Sequence, residues 1–139
     1  MMKKLLMMTA MVCLTATTSH AAQVVVETKN TSLVLDVEKG RQPQYVYYGL
    51  RLDAQELQHL QTPRDGRMDA YPVYGMNCPA EAALAMKHGD GNMSTAVVCD
   101  SWEQANGTVS ITMKDPVYGT VVKLNYKAYA AEDIIEMWS

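Results

Sequence analysis
Hydrophobic and polar positions alternate with period two through most of the chain, the pattern of strands buried on one face. Leu33, Leu35 and Val37 alternate with polar neighbours, and Lys39-Gly40 closes the run as a turn. Tyr45 to Leu52 then reads as the return strand, so Leu33 to Leu52 is a hairpin. Thr108 to Met113 alternates cleanly. From Tyr118 to Tyr129, Val122, Leu124, Tyr126 and Ala128 share one face while Val121, Lys123, Asn125 and Lys127 take the other. Gln23 to Thr28 is β-branched and strand-like, and Ile134 to Trp138 begins one more strand. Between these, Ala54 to Leu60 has the composition of a short helix, and Thr62 to Arg67 is a Pro- and Gly-bearing loop.

The middle of the chain is less plain. Tyr71 to Gly75 carries strand signals. Glu81 to His88 is rich in Ala and Leu, yet Ala82, Leu84 and Met86 alternate, and both flanks read as β. It is therefore expected as a strand, folded back by Gly89-Asp90-Gly91-Asn92 onto Thr95 to Cys99. About nine short strands at roughly ten-residue spacing predict an all-β, antiparallel sandwich. Ile134, Ile135, Met137 and Trp138 end the chain within an apolar run, so the sandwich is expected to be incomplete at its C-terminus, a fragment of a longer protein.

The first 22 residues break the pattern. Lys3 and Lys4 precede an apolar run from Leu5 to Leu14, and Ser19-His20-Ala21 supplies small residues for cleavage after Ala21. The run is shorter than the ~20 residues needed to span a bilayer. Residues 1–22 thus read as a signal peptide of bacterial type, with residues 23–139 forming one exported domain, periplasmic or extracellular. Removing Lys3 and Lys4 takes the basic count from 12 to 10 against 15 acidic residues, moving the net charge from −3 to −5. A surface of that sign lacks the basic cluster that nucleic acid requires.

Export leaves Cys78 and Cys99. Two readings fit: a disulfide favoured by an oxidising compartment, or two buried thiols packing as small hydrophobes. If Gly89 to Asn92 turns the chain back on itself, Cys78 and Cys99 fall on neighbouring strands. The sequons at Asn30, Asn92 and Asn106 mark turns. Chemistry is sparse. His59 and His88 have no zinc-ligand spacing, and the segment from Asp90 lacks the Gly and Glu of a calcium loop, with Thr95 and Ser101 in their places. Asp65 and Asp69 read as a solvated turn. Tyr45, Tyr47, Tyr48, Tyr71, Tyr74, Trp102 and Trp138 could stack on sugars but fit strand cores better. No catalytic residue, cofactor or metal ligand is assigned.

Three blocks carry a resemblance. They are Tyr47-Tyr48-Gly49; Asp69 to Gly75, followed by Pro79 to Met86 and Gly89 to Asn92; and Lys114 to Tyr118, Val122 to Tyr129 and Asp133 to Trp138. In this order they resemble the N-terminal β-supersandwich domain of the α-galactosidases of glycoside hydrolase family 36. The resemblance implies a scaffold domain preceding a catalytic (β/α)₈ barrel and a C-terminal β domain. It also implies a retaining enzyme that removes terminal α-galactose, and homo-oligomers of the full-length protein. Retention needs two carboxyls about 5–5.5 Å apart. In that family both lie in the barrel, and the Lys-Trp-Asp motif of the nucleophile does not occur here. The Leu-Asp-Arg-Ala-type motif with which relatives offer the sugar an Asp is missing from Gln55 to Arg67, so neither Asp65 nor Asp69 is carried over. The rival reading is a free-standing carbohydrate-binding or structural sandwich.

Overall fold
The computed structural model describes residues 22–63, 68–76 and 81–139. Among the described residues, seven strands form two antiparallel sheets. The first holds β1 (Ala22–Glu27), β2 (Thr31–Val37) and β3 (Gln44–Leu50) in the order β1-β2-β3. The second is a meander of β4 (Val98–Ala105), β5 (Thr108–Lys114), β6 (Val121–Tyr129) and β7 (Ile134–Trp138), each paired with the next. A short helix, α1 (Ala54–His59), follows β3. No helix among the described residues is long and apolar enough to cross a membrane.

The alternation finds its physical cause in the core between the sheets. Val24 and Val26 of β1 and Leu33, Leu35 and Val37 of β2 face Val109, Ile111 and Met113 of β5 and Leu124 and Tyr126 of β6. On β5 the odd-numbered residues from Val109 to Met113 are buried while Ser110 and Thr112 are only half-buried. β2 differs in being covered on both faces: Ser32, Val34 and Asp36 on its other side are buried too. The cover is the stretch after β3. Leu52 N donates to Ser32 Oγ (3.1 Å), the Thr62 hydroxyl donates to Asp36 Oδ2, and Gln23 Nε2 donates to the Leu60 carbonyl (3.3 Å).

α1 has a capping box. The Asp53 carboxylate accepts from the N–H groups of Gln55 and Glu56, while Glu56 accepts from Asp53 N at 2.8 Å. The β4–β5 turn is Asn106-Gly107, with φ of 52° and 73°, the left-handed pair that a two-residue hairpin needs.

Two expectations are corrected. Residues 81–88 are not a strand, and no hairpin joins them to Thr95–Cys99. The turn itself forms, with His88 N donating to Asn92 O (2.8 Å), but pairing does not propagate. Residues 71–76 lie alongside instead: Ala83 N donates to Pro72 O, Tyr74 N to Leu84 O, and Thr95 N to Tyr74 O. Between these two stretches, among the described residues, the one bridge is that of Val73 with Leu84, and it is parallel. So Tyr71 to Gly75 is no strand either. Pro72 has no N–H to continue a ladder. Gly75 sits at φ +102° with its Cα so close to Ser94 that a Cβ would meet Ser94 Cα at 2.7 Å. The second correction concerns β4, which runs on through Asp100–Ala105 although none of those residues is buried. The Asn106-Gly107 turn and the β5 ladder hold it, with a bulge between Cys99 and Ser101.

Candidate functional site: an apolar seam and a carboxylate-locked turn cluster
Two places gather the side chains that sequence reasoning singled out. The first is the seam between the open edges of the sheets, β3 on one side and β7 on the other. Tyr45, Tyr47 and Tyr48 from β3, Ile135 and Met137 from β7, with Leu33 and Met68, enclose a cleft of about 360 Å³. Tyr45 spans it. Its hydroxyl lies 3.4 Å from that of Tyr126 and donates to Met137 Sδ at 3.5 Å. The buried Tyr126 phenol is raised well above its ordinary pKa by burial and by the Tyr45 hydroxyl, so it stays neutral. Tyr47 bends back to donate to Leu50 O (2.9 Å), and its ring leaves no room for a side chain at Gly49. Around this cleft Tyr48, Ile134, Met137 and Trp138 remain exposed. An apolar surface of this kind supports docking and holds no reacting group.

The second place joins two of the blocks that carried the resemblance. The Gly89–Asn92 turn meets the β5–β6 turn, residues 115–120. His88 stacks on Tyr118 with ring centres 3.5 Å apart and planes within 8°. Tyr118 donates its hydroxyl to Asp90 Oδ2 and accepts from Asn92 Nδ2, both at 2.8 Å. His88 Nε2 reaches Ser94 O and Thr95 Oγ1. Beneath lies Asp115, buried, its two oxygens accepting from the N–H groups of Val117, Tyr118 and Ala96 at 2.8–3.0 Å. Burial alone would raise its pKa, but those three backbone donors together hold it below the ordinary carboxylate value. The Asn92 N–H, with the Tyr118 hydroxyl, likewise lowers Asp90.

Asp133 and Asp69 tie separate stretches of the chain together. Asp133, at φ +58°, ties the β6–β7 turn to the β1–β2 turn: its carboxylate accepts from the Thr28 hydroxyl and from Asn30 N and Nδ2 (3.2 Å each). The Thr28 hydroxyl foremost lowers its pKa. Asp69 accepts from Gln44 Nε2 at 3.1 Å. His59 is exposed in the last turn of α1. Trp102 is exposed on β4. Asp65 and Cys78 lie outside the described residues. Cys99 is buried in the core, its thiol pKa raised by burial, and its backbone pairs with the loop before β3: Cys99 N to Arg41 O (2.7 Å) and Gly40 N to Cys99 O (2.8 Å). The hairpin that was to set Cys78 beside it is not formed. Asp115 and Asp133 stand within the blocks that carry the resemblance, with no role assigned to either there. Asp115-Pro116 with Gly119 is a legible turn signal, whereas nothing near Asp133 announces a tie to Thr28, 105 residues away.

Comparison with known proteins agrees with this architecture. No curated protein matches the chain. Among solved structures, the α-galactosidase from Lactobacillus brevis superposes with a TM-score of 0.67 at 17% identity, covering 84% of this chain and 21% of that one. The family 36 α-galactosidase from Geobacillus stearothermophilus gives 0.66 in its complex with stachyose, at 18% identity, and 0.66 in its complex with raffinose, at 19%. Coverage is again 84% and 21% in both. These identities show a shared fold, and the chain spans about a fifth of the length of the proteins it superposes on. The profile of the glycosyl hydrolase family 36 N-terminal domain matches residues 41–139, which takes in β3, the turn cluster and the whole β4–β7 meander. By that match the chain belongs to the glycosyl hydrolase family 36 N-terminal domains.

Proposed function
We propose that this chain is the N-terminal scaffold of an exported, α-galactosidase-like retaining glycoside hydrolase that removes terminal α-galactose from oligosaccharides. The observation that carries the reading is the family match over residues 41–139, together with a superposition confined to about a fifth of each solved α-galactosidase. In this reading the catalytic carboxylates belong to a barrel beyond this chain. The acids described above are already committed: Asp53 to a helix cap, Asp90, Asp115 and Asp133 to turns. The apolar seam along β3 and β7 is the face on which the rest of such an enzyme rests. The Lys3-Lys4 leader and its apolar run support export to the periplasm or beyond.

The test compares the 139-residue chain with the genomic reading frame that contains it. The frame is expected to encode a barrel and to hydrolyse a chromogenic α-galactoside with retention, while the 139-residue chain gives no turnover. Turnover by the chain itself would sink the scaffold role. A frame ending at Ser139, with glycan binding by the chain, would establish the binding-module alternative instead.

A further inference from the structure
A second, smaller cavity of about 120 Å³ lies under the loop that follows α1, lined by Asp36, Glu38, Arg41, Gln44 and Thr62. Its floor is Asp36, on the outward face of β2 and only 8% exposed. One of its oxygens, Oδ2, accepts from the Thr62 hydroxyl. The other, Oδ1, is buried without a hydrogen-bond partner among the described residues. A buried carboxylate oxygen left unpaired is costly, and such an atom marks the place of a missing partner.

Hydrogen-bond bookkeeping says what kind of partner. Thr62 has given its only hydroxyl proton to Asp36, so its oxygen has lone pairs alone to offer. Gln44 spends its amide nitrogen on Asp69 and keeps its carbonyl oxygen as an acceptor. Glu38 engages Arg41 through Oε2 at 3.3 Å and leaves Oε1 for a second partner. Arg41 sits at the rim, its side chain 53% exposed, and is neutralised by Glu38. The lining thus offers oxygen acceptors at its inner end, with one uncompensated negative charge on Asp36. With Arg41 already neutralised by Glu38, the polar atoms left over are oxygens, and they call for positive charge. Without sulfur or imidazole the lining suits a hard cation rather than a transition metal. The cavity has room for such an ion and part of a water shell.

We propose that the Asp36 cavity is a site for a single hydrated divalent cation of the calcium type, held by Asp36 with Thr62, Gln44 and Glu38. It is assembled from β2, the turn between β2 and β3, β3 and the loop after α1, so it has no contiguous loop signature. With one net charge and partial hydration, the affinity belongs to the weak class, with Kd about 10⁻⁴–10⁻³ M.

Calcium chloride titrated into the chain, followed by calorimetry and by thermal unfolding against an EDTA control at matched ionic strength, tests the site. One saturable site is expected, with Tm rising by about 5 °C at tenfold excess over Kd. Asp36→Asn should weaken binding at least tenfold and Glu38→Gln several-fold. Glu103→Gln, on exposed β4, should leave it unchanged. Calcium-dependent NMR shifts at the Thr62 and Gln44 amides of the unmodified chain give a reading that no variant's folding can spoil. Absence of saturable binding up to ~10 mM, equal binding by Asp36→Asn and the parent, or shifts elsewhere only, would each overturn the site.

Discussion

Strands β5 and β6 of the meander and residues 81–87 all alternate the faces of their side chains, yet only the meander becomes a sheet. In residues 81–87, Ala82, Leu84 and Met86 are half-buried while Glu81, Ala83, Ala85 and Lys87 are exposed, so the sidedness read from the sequence survives. What fails is the ladder. In the meander, β5 has the two-residue Asn106-Gly107 turn at one end, the Asp115-held turn of residues 115–120 at the other, and a paired neighbour on each side along its whole length. Residues 81–97 have as neighbours Pro72, which cannot donate, and Gly75, pressed against Ser94. Alternation therefore fixes which face a segment buries, and its neighbours decide whether it pairs. In place of a ladder this stretch is held by Asp115 from below and by the His88–Tyr118 stack from the side.

The sharpest way to break the comparison is to strike each region at its own support. Ile111, fully buried on β5, holds the meander by packing. Ile111→Ala should cost about 2–5 kcal/mol, read as a lower urea midpoint for the whole domain. Asp115→Asn weakens acceptance from three backbone N–H groups and should cost about 1.5–3 kcal/mol. Hydrogen exchange should speed up at Ala96, Val117 and Tyr118 before it does in β5 and β6. Uniform acceleration across both regions would show that they do not differ in what supports them. Tyr118→Phe keeps the stack on His88 but removes the hydroxyl between Asp90 and Asn92. Its cost should be about 0.5–1.5 kcal/mol, confined in exchange experiments to residues 88–94.

The smallest effect is electrostatic. Asp115, Asp90 and Asp133 all titrate below the ordinary carboxylate value when folded. Each binds fewer protons in the folded chain than in the unfolded one. The stability they contribute is complete above the unfolded value near ~3.9 and drains as pH falls through their folded values. The melting temperature should therefore fall between pH 5 and 3, by less in Asp115→Asn than in the parent. A fall of the same size in both would remove Asp115 from the account.

Much was legible in the linear pattern. The β2–β3 hairpin, the helix after Asp53, β5, β6 and β7 all lie where periodicity and turn residues put them, because each is a local solution: an alternating face, a cap or a two-residue turn. The exposed half of β4 was missed since polar residues on a solvent-facing strand carry no periodicity, and only the Asn106-Gly107 turn betrays it. Of the candidate sites, the tyrosines of the seam were visible as residues but not as a cleft, because Tyr45 and Met137 meet only when two sheets close.

The sequence by itself determined the fold class, the faces of most strands, and the lack of the family's nucleophile motif from this chain. The tertiary structure decided where the acids work. Asp115 reaches across to Ala96, Asp133 to Thr28, and Asp36 is left with a bare oxygen beneath the loop after α1. The reason is one of range. Propensity, alternation and capping act within a few residues, whereas a carboxylate's partner is set by which distant backbone the packed sheets bring within about 3 Å.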